Sequence, residues 1–345
     1  MALLWIEGFE GFGSTLDSAP SPSGIVGRKY GSVASESTMK IQTGRTGGKS
    51  LELATSNCYF QKSITMANDT IIIGFAFLAD ALLTSGYLVN CYDGIGMGMR
   101  LYVDTAGTFG IIRNTTRLET TTNSITASVW YYIEYKIKVH ASAGSYELRV
   151  NDTVWASDSG INTQTYINPF YDAIRFIGPY SFVTSRIDDL YICDDSGTYN
   201  NDFLGNVKVV AINPDSAGDD TDWTPASGAN YAAVDDGQEL DEDSTYVETS
   251  GSLDQDLYNY ESLSSVGSIK GIQINTEVRV TDAESYDLNN VIKSGTTTDE
   301  GTEETISSTS YATSSRVQET DPDTSASWTA SNINSCQFGI KATTV

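Results

Sequence analysis

The sequence predicts an all-β protein, and three observations carry that prediction. Short runs rich in Thr, Tyr, Val and Ile recur along the 345 residues, separated by Gly, Asn and Asp. The clearest runs alternate apolar and polar side chains with a period of two, as a strand with one face in a core must. No window of about twelve residues keeps the apolar spacing of an amphipathic helix.

The elements follow in order. Residues 71–79 (IIIGFAFLA) are apolar throughout, but Asp80 ends the run. Nine residues are too few to cross ~30 Å of hydrocarbon as a helix, so the run reads as a buried strand. Gly94-Ile-Gly96-Met-Gly98 lacks the spacing of a nucleotide-binding loop and reads as a turn into a strand over 99–103. In 130–139, Tyr131, Ile133, Tyr135, Ile137 and Val139 fall on one face, and Glu134, Lys136 and Lys138 fall on the face assigned to water. Residues 145–150 alternate in the same way, Asn151-Asp152 turns the chain, and 153–156 returns as a hairpin. Strands are expected at 172–178 and 186–193, the second running into the acidic turn at Asp194-Asp195. Further strands are expected at 203–212, 244–248, 268–280 and 337–342, with 294–310 as a long loop.

Charge divides the chain. Lys and Arg number 20 against 45 Asp and Glu, a net of −25. Residues 1–200 contain 19 acids and 14 bases, while the rest contain 26 acids and 6 bases. The step marks two modules, drawn at 1–202 and 203–345. A chain this acidic repels a phosphate backbone, which excludes nucleic acid as the main partner. With His140 as the single histidine, a His-rich zinc site cannot form and Ser-His-Asp chemistry would have to pass through that one residue. Cys58, Cys91, Cys193 and Cys336 lie far apart with no C-x-x-C pair, and the first residues lack a signal-peptide pattern. These features lead to an expectation of buried, reduced thiols in a cytosolic setting, with no membrane insertion.

Residues 130–155, a Trp-led alternating strand followed by Tyr-Glu-Leu-Arg-Val-Asn-Asp-x-Val-Trp, resemble the central hairpin of concanavalin A-like and laminin-G-like jelly rolls. Ile187-Asp188-Asp189-Leu190-Tyr191-Ile192 would match the closing strand, so the resemblance covers roughly residues 1–200. The later region resembles a segment of structural proteins of tailed bacteriophages. That likeness is carried by Phe203-Leu-Gly-Asn-Val, Asp222-Trp223-Thr-Pro, Asp243-Ser-Thr-Tyr246-Val, Asp321-Pro-Asp-Thr-Ser-Ala-Ser-Trp328 and Cys336-Gln-Phe-Gly-Ile-Lys341. It implies a virion protein assembled in the bacterial host cytoplasm, with a second, acidic β-sandwich in 203–345.

Concanavalin-like glycoside hydrolases use a Glu-x-Asp-x-x-Glu strand with two carboxylates on one face. The nearest match, Glu239-Leu-Asp241-Glu-Asp-Ser244, ends in Ser and lies in an acidic loop. The expectation is therefore a protein that is not an enzyme and has no catalytic residue or cofactor. Calcium is the one candidate ion, with hard oxygen donors at Asp188, Asp189, Asp194 and Asp195. Tyr131, Tyr132, Tyr166, Tyr171 and Tyr180 are the candidates for a carbohydrate-binding face. Trp223, Tyr258 and Tyr260 are the candidates for a subunit interface, where aromatic residues are enriched. The resulting expectation is a structural part of a phage virion, in the tail, a fibre or the capsid decoration. It would act as a homo-oligomer through contacts with other virion proteins. The alternative is a carbohydrate-binding adhesin that recognises host surface polysaccharide.

Overall fold

The computed structural model describes residues 1–54, 58–83, 85–178, 184–237, 239–264 and 267–344, in two compact units, Met1–Val210 and Ala211–Val345. The first holds β1 (Leu3–Glu7), β2 (Ser32–Ala34), β3 (Lys40–Thr43), β4 (Lys49–Leu53), β5 (Tyr59–Ser63), β6 (Thr70–Ala79), β7 (Gly86–Tyr92) and β8 (Met97–Val103). It continues with β9 (Thr108–Arg113), β10 (Thr116–Ser124), β11 (Tyr131–Lys138), β12 (Gly144–Val150), β13 (Thr153–Ile161), β14 (Ala173–Ile177) and β15 (Ser185–Asp194). The single α-helix among its described residues is α1 (Ile25–Tyr30).

These strands form an antiparallel jelly-roll sandwich. One sheet runs β13-β12-β11-β6-β15-β4-β3, with β1 added on β15, and the other runs β10-β9-β8-β7-β14-β5-β2. The β12–β13 hairpin turns at Asn151 and Asp152, both left-handed at φ 48° and 63°, as the sequence predicts.

The core lies between the sheets. Phe75 and Ile73 of β6 face Phe176 of β14 and Phe60 of β5, all fully buried. Phe60 and Phe176 stack with ring centroids 5.1 Å apart, and Phe75 meets Phe176 edge-on at 5.4 Å. Such pairs add about 0.5–1.5 kcal/mol beyond simple burial. Replacing Phe176 by Ala should cost about 3–5 kcal/mol in denaturant unfolding, because the sheets cannot close on the void. Arg175→Ala, one residue away on the opposite face, should cost less than about 1 kcal/mol. Equal losses would mean that the alternation assigned to β14 is wrong.

All ten residues of β6 are buried, so the eight-stranded sheet is covered on its outer face at β6 as well as on its inner face. The cover is the segment 203–210. It is expected from the sequence as a strand opening the second module, but it forms no strand and belongs to the first unit. Side chains of the sheet, rather than a neighbouring strand, take up its polar backbone. Leu204 N donates to Tyr191 Oη at 3.1 Å, Gly205 N to Glu134 Oε1 at 2.9 Å, and Val209 N to Asp189 Oδ1 at 2.8 Å. Arg45 closes the end by donating to the Val207 carbonyl and pairing with Asp189 at 2.8 Å. Phe203 lies beneath the Arg149 guanidinium, 3.9 Å from the ring centroid. Gly74 makes room below: a Cβ there would fall 2.0 Å from the Tyr191 ring. Glu134, assigned to water by the period of two, is instead 1% exposed beneath this strap. The domain boundary accordingly moves from 202 to 210.

Burial and the adjacent Asp189 carboxylate push the Asp188 carboxyl up to about 7, against backbone N–H groups of Arg45 and Asp189 that favour its charge. Burial raises Glu134 and Glu10 in the same direction. A carboxyl whose value is raised on folding holds its proton in the folded chain after the unfolded chain has lost it. Its contribution is therefore complete below the unfolded value and is lost as pH climbs through the folded one. Unfolding midpoints should fall between about pH 5 and about pH 8, and Asp188→Asn should flatten that slope. A midpoint that rises over this window would rule out a protonated Asp188.

The second unit contains β16 (Pro214–Thr221), β17 (Thr224–Pro225), β18 (Val247–Glu248), β19 (Gln255–Tyr260), β20 (Ile272–Val278), β21 (Tyr286–Ser294), β22 (Thr297–Asp299), β23 (Glu304–Ile306), β24 (Ala312–Gln318) and β25 (Gln337–Thr344), with α2 (Ala330–Ser335). A six-stranded sheet runs β16-β19-β25-β21-β22, with β23 on β21. The β20–β24 ribbon packs on it through Ile272 and Ile274, against a core of Ile292, Trp328, Ile333 and Phe338. Residues 294–310, expected as one loop, supply β22, which folds back on the end of β21 as a hairpin with Ser294 opposite Thr297, and β23, which pairs with the start of β21. The two units hold 20 acids with 15 bases and 25 acids with 5 bases.

Candidate functional site

The outer face of the seven-stranded sheet is built largely from five strands that contain no acidic residue. β5 (YFQKS), β7 (GYLVNCY), β8 (MGMRLYV), β9 (TFGIIR) and β14 (AIRFI) carry not one of the chain's 45 carboxylates. Their inward residues are the core, among them Phe60, Ile174, Phe176, Met99 and Leu101. Strand alternation then turns Tyr59 and Gln61 outward on β5, Arg175 on β14, Tyr92 and Asn90 on β7, and Arg100 and Tyr102 on β8. Bulges at 87–89 and 90–92 shift β7, so that Tyr87, Asn90 and Tyr92 all share this face although their spacing is not uniform.

These side chains form one continuous row across the strands. Arg175 lies between two rings, 4.0 Å from the Tyr59 centroid and 4.7 Å from that of Tyr92. Its Nε donates to Gln61 Oε1 at 2.9 Å, its register partner on β5. Arg100 lies 3.3 Å from the Tyr87 centroid and donates to Asn90 Oδ1 at 2.9 Å and to the Asn114 carbonyl at 3.2 Å. Tyr87 meets Tyr102 edge-on at 5.3 Å. Arg117 of β10 lies 5.0 Å from the Tyr102 centroid, and Gly110, with no side chain, gives its guanidinium room to lie over β9.

The rings and side-chain amides hold the guanidinium planes in place, and no carboxylate bonds to Arg100 or Arg175 in this row. Burial lowers the Arg100 value, and the hydroxyls of Tyr87 and Tyr92 act against that. Tyr59, Tyr87, Tyr92, Tyr102 and Arg175 are half-buried and Arg117 is exposed, so ring edges and guanidinium forks remain open to a ligand. Beside the row, Arg113, Asn114, Thr116, Asn162, Gln164 and Thr165 line a polar cavity of about 230 Å³. Arg113 is tied there to the Asn162 carbonyl at 2.9 Å.

The tyrosines singled out from the sequence are mostly committed elsewhere. Tyr132 and Tyr171 are 1% and 2% exposed and cannot offer a ring to a ligand. The Tyr132 hydroxyl donates to the Asp189 carbonyl, and the Tyr171 hydroxyl accepts from Met99 N. Tyr131 faces inward in register with Phe77, its hydroxyl accepting from Thr126 N. Tyr166 rests on Gly96 in the β7–β8 turn. Tyr180 lies outside the described residues. The tyrosines of the row were missed, although a signal existed: Tyr and Arg at alternating positions in strands without acids.

Three of the four proposed calcium donors have partners of their own. Asp188 accepts from Arg45 N and Asp189 N, and Asp189 from Arg45 and Val209 N. Asp194 accepts from Ala67 N and Ser196 N. Asp195, in the following turn, is partly exposed. Among the described residues no three His, Cys, Asp or Glu side chains are grouped as a metal site. The expected interface aromatics belong to the second unit's interior. Tyr258 is 4% exposed and donates to Asp256, Trp223 Nε1 donates to the Asp254 carbonyl, and Tyr260 packs edge-on against Phe338 at 5.3 Å. His140 caps its own turn, with Nδ1 accepting from Ser142 N and Ala143 N. All four cysteines are buried thiols.

No protein-family model matches this chain. No curated protein matches it in sequence either. Solved structures similar to it include the alginate lyase Aly36B, at 12% identity and a TM-score of 0.41, covering 55% of this chain and 96% of that one. Another is an endo-β-1,4-glucuronan lyase from the fungus Trichoderma reesei, at 11% identity and a TM-score of 0.37, covering 48% and 90%. A sialidase is similar at 11% identity and a TM-score of 0.36, over 55% of this chain but 18% of its own. The expectation that the chain is not an enzyme is corrected here: these three similar structures are named as enzymes, so the exclusion drawn from the missing Glu-x-Asp-x-x-Glu strand does not stand. Likeness at this level assigns no activity to this chain.

Proposed function

We propose that the chain binds carbohydrate polymers and that the outer face of the seven-stranded sheet is the surface that holds them. The carrying observation is the row of tyrosine rings interleaved with Arg, Asn and Gln. A sugar ring presents an apolar C–H face and a rim of hydroxyls. The first packs on an aromatic plane and the second needs fixed donors and acceptors, and the row supplies both. Its length supports a polymer rather than a single sugar. From β5 to β10 the row crosses six strands, which at ~4.8 Å per strand is roughly 24 Å of open surface.

A role in a virus particle drew on motifs in 203–345. Trp223, Tyr258, Tyr260 and Trp328 now have an account in that unit's own packing, so those motifs give no independent support to a partner.

Titration calorimetry of the full chain against a panel of soluble polysaccharides tests the proposal. Saturable binding is expected, weakened about tenfold or more by Tyr92→Ala or Tyr87→Ala. Lys136→Ala, on the opposite sheet, should leave it unchanged. Silence across the panel, or binding indifferent to both tyrosines, would sink the reading.

A further inference from the structure

We infer that the polymer held on this face is anionic, with carboxylate or sulfate groups that seat on the guanidinium forks of Arg175 and Arg117. This rests on the carbohydrate-binding reading above and names the class of its ligand. A face serving neutral sugars needs aromatic planes and amides, and has no use for three guanidinium groups spread over β14, β8 and β10. Arg175 and Arg100 stand on strands without an acid, and Arg117 on β10, whose one acid, Glu119, accepts from the Tyr146 hydroxyl, in a chain whose net charge is −25. The local sign opposes that of the whole molecule, which makes the face the one complementary to a polyanion.

The geometry fits forked recognition better than diffuse attraction. Arg175 is held on two ring planes and by Gln61, and Arg100 by Tyr87, Asn90 and Asn114, so each guanidinium has a set orientation before a ligand arrives. A preset planar fork pairs with the two oxygens of a carboxylate or sulfate, and less ordering entropy is lost on contact. The rings that orient the guanidinium groups also offer their edges to the sugars between charged groups. A polymer charged at regular intervals would therefore meet alternating cation and ring. Nucleic acid is the other common polyanion that uses Arg and Tyr, and affinity for an oligonucleotide separates the two.

The test measures affinity of the full chain for polygalacturonate, for its fully methyl-esterified form, for hyaluronate, for dextran sulfate and for a single-stranded oligonucleotide. The inference expects binding to at least one anionic polysaccharide at least tenfold tighter than to the esterified polymer, weakening as salt rises from roughly 0.05 M to roughly 0.5 M. Arg175→Gln should lower that affinity about tenfold, with Arg117→Gln adding to the loss. Arg175→Lys should recover only part of it, since a lysine keeps the charge without the fork. Both arginines reach the surface, so their variants are expected to unfold like the parent, which a thermal melt checks. Arg100, nearly buried, is left unchanged.

Equal affinity for esterified and charged polymers would overturn the anionic assignment and leave carbohydrate binding standing. No binding to any polysaccharide would overturn both. Oligonucleotide binding as tight as the best polysaccharide, or full recovery by Arg175→Lys, would also overturn it, because the face would then be responding to charge alone.

Discussion

Packing of Phe60, Phe75 and Phe176 between the two sheets decides which way every neighbouring side chain in the first unit points. A strand repeats every two residues, so once Phe176 faces inward, Arg175 must face outward, and with Phe60 inward, Gln61 and Tyr59 follow. The same holds on β8, where Met99 and Leu101 are buried and Arg100 and Tyr102 are turned out. The open face is thus a consequence of the core. A one-residue slip would put a guanidinium among phenylalanines.

A sandwich has two outer faces, and this one treats them differently. Over the eight-stranded sheet the strap 203–210 donates backbone N–H groups to one oxygen of Glu134 and one of Asp189, while Arg45 pairs with Asp189 and its backbone N–H serves Asp188. Carboxylates left there without donors would each cost several kcal/mol. Over the seven-stranded sheet no equivalent segment lies among the described residues, and the side chains suit an interface with water and solute. Glu134, Asp188 and Asp189 are buried on the eight-stranded sheet, while β5, β7, β8, β9 and β14 on the other carry no acid.

Much of the architecture was legible from the residues. The run at 71–79, the alternation at 130–139, the Asn151-Asp152 turn and the strands ending at Ile177 and Asp194 all depend on local pattern, which a strand carries in its own sequence. The failures share one cause. Residues 203–210 are as β-branched as a strand, yet with no edge to pair with they lie across a sheet face instead. Glu134 alternates correctly and still is not in water, because the strap that covers it is some seventy residues away in the chain.

The sequence by itself determined the all-β class, the two charge-distinct modules and the turn chemistry, since these follow from composition and short-range periodicity. It also contained the acid-free strands. It could not show that five separate segments, from Tyr59 to Arg175, lie side by side. Tyr132 and Tyr171 are chemically the same as Tyr92 and Tyr87, and only strand order and sheet pairing decide which rings are buried and which are shown. That choice is made by contacts between residues far apart in the chain, whose long-range pairing no local pattern encodes.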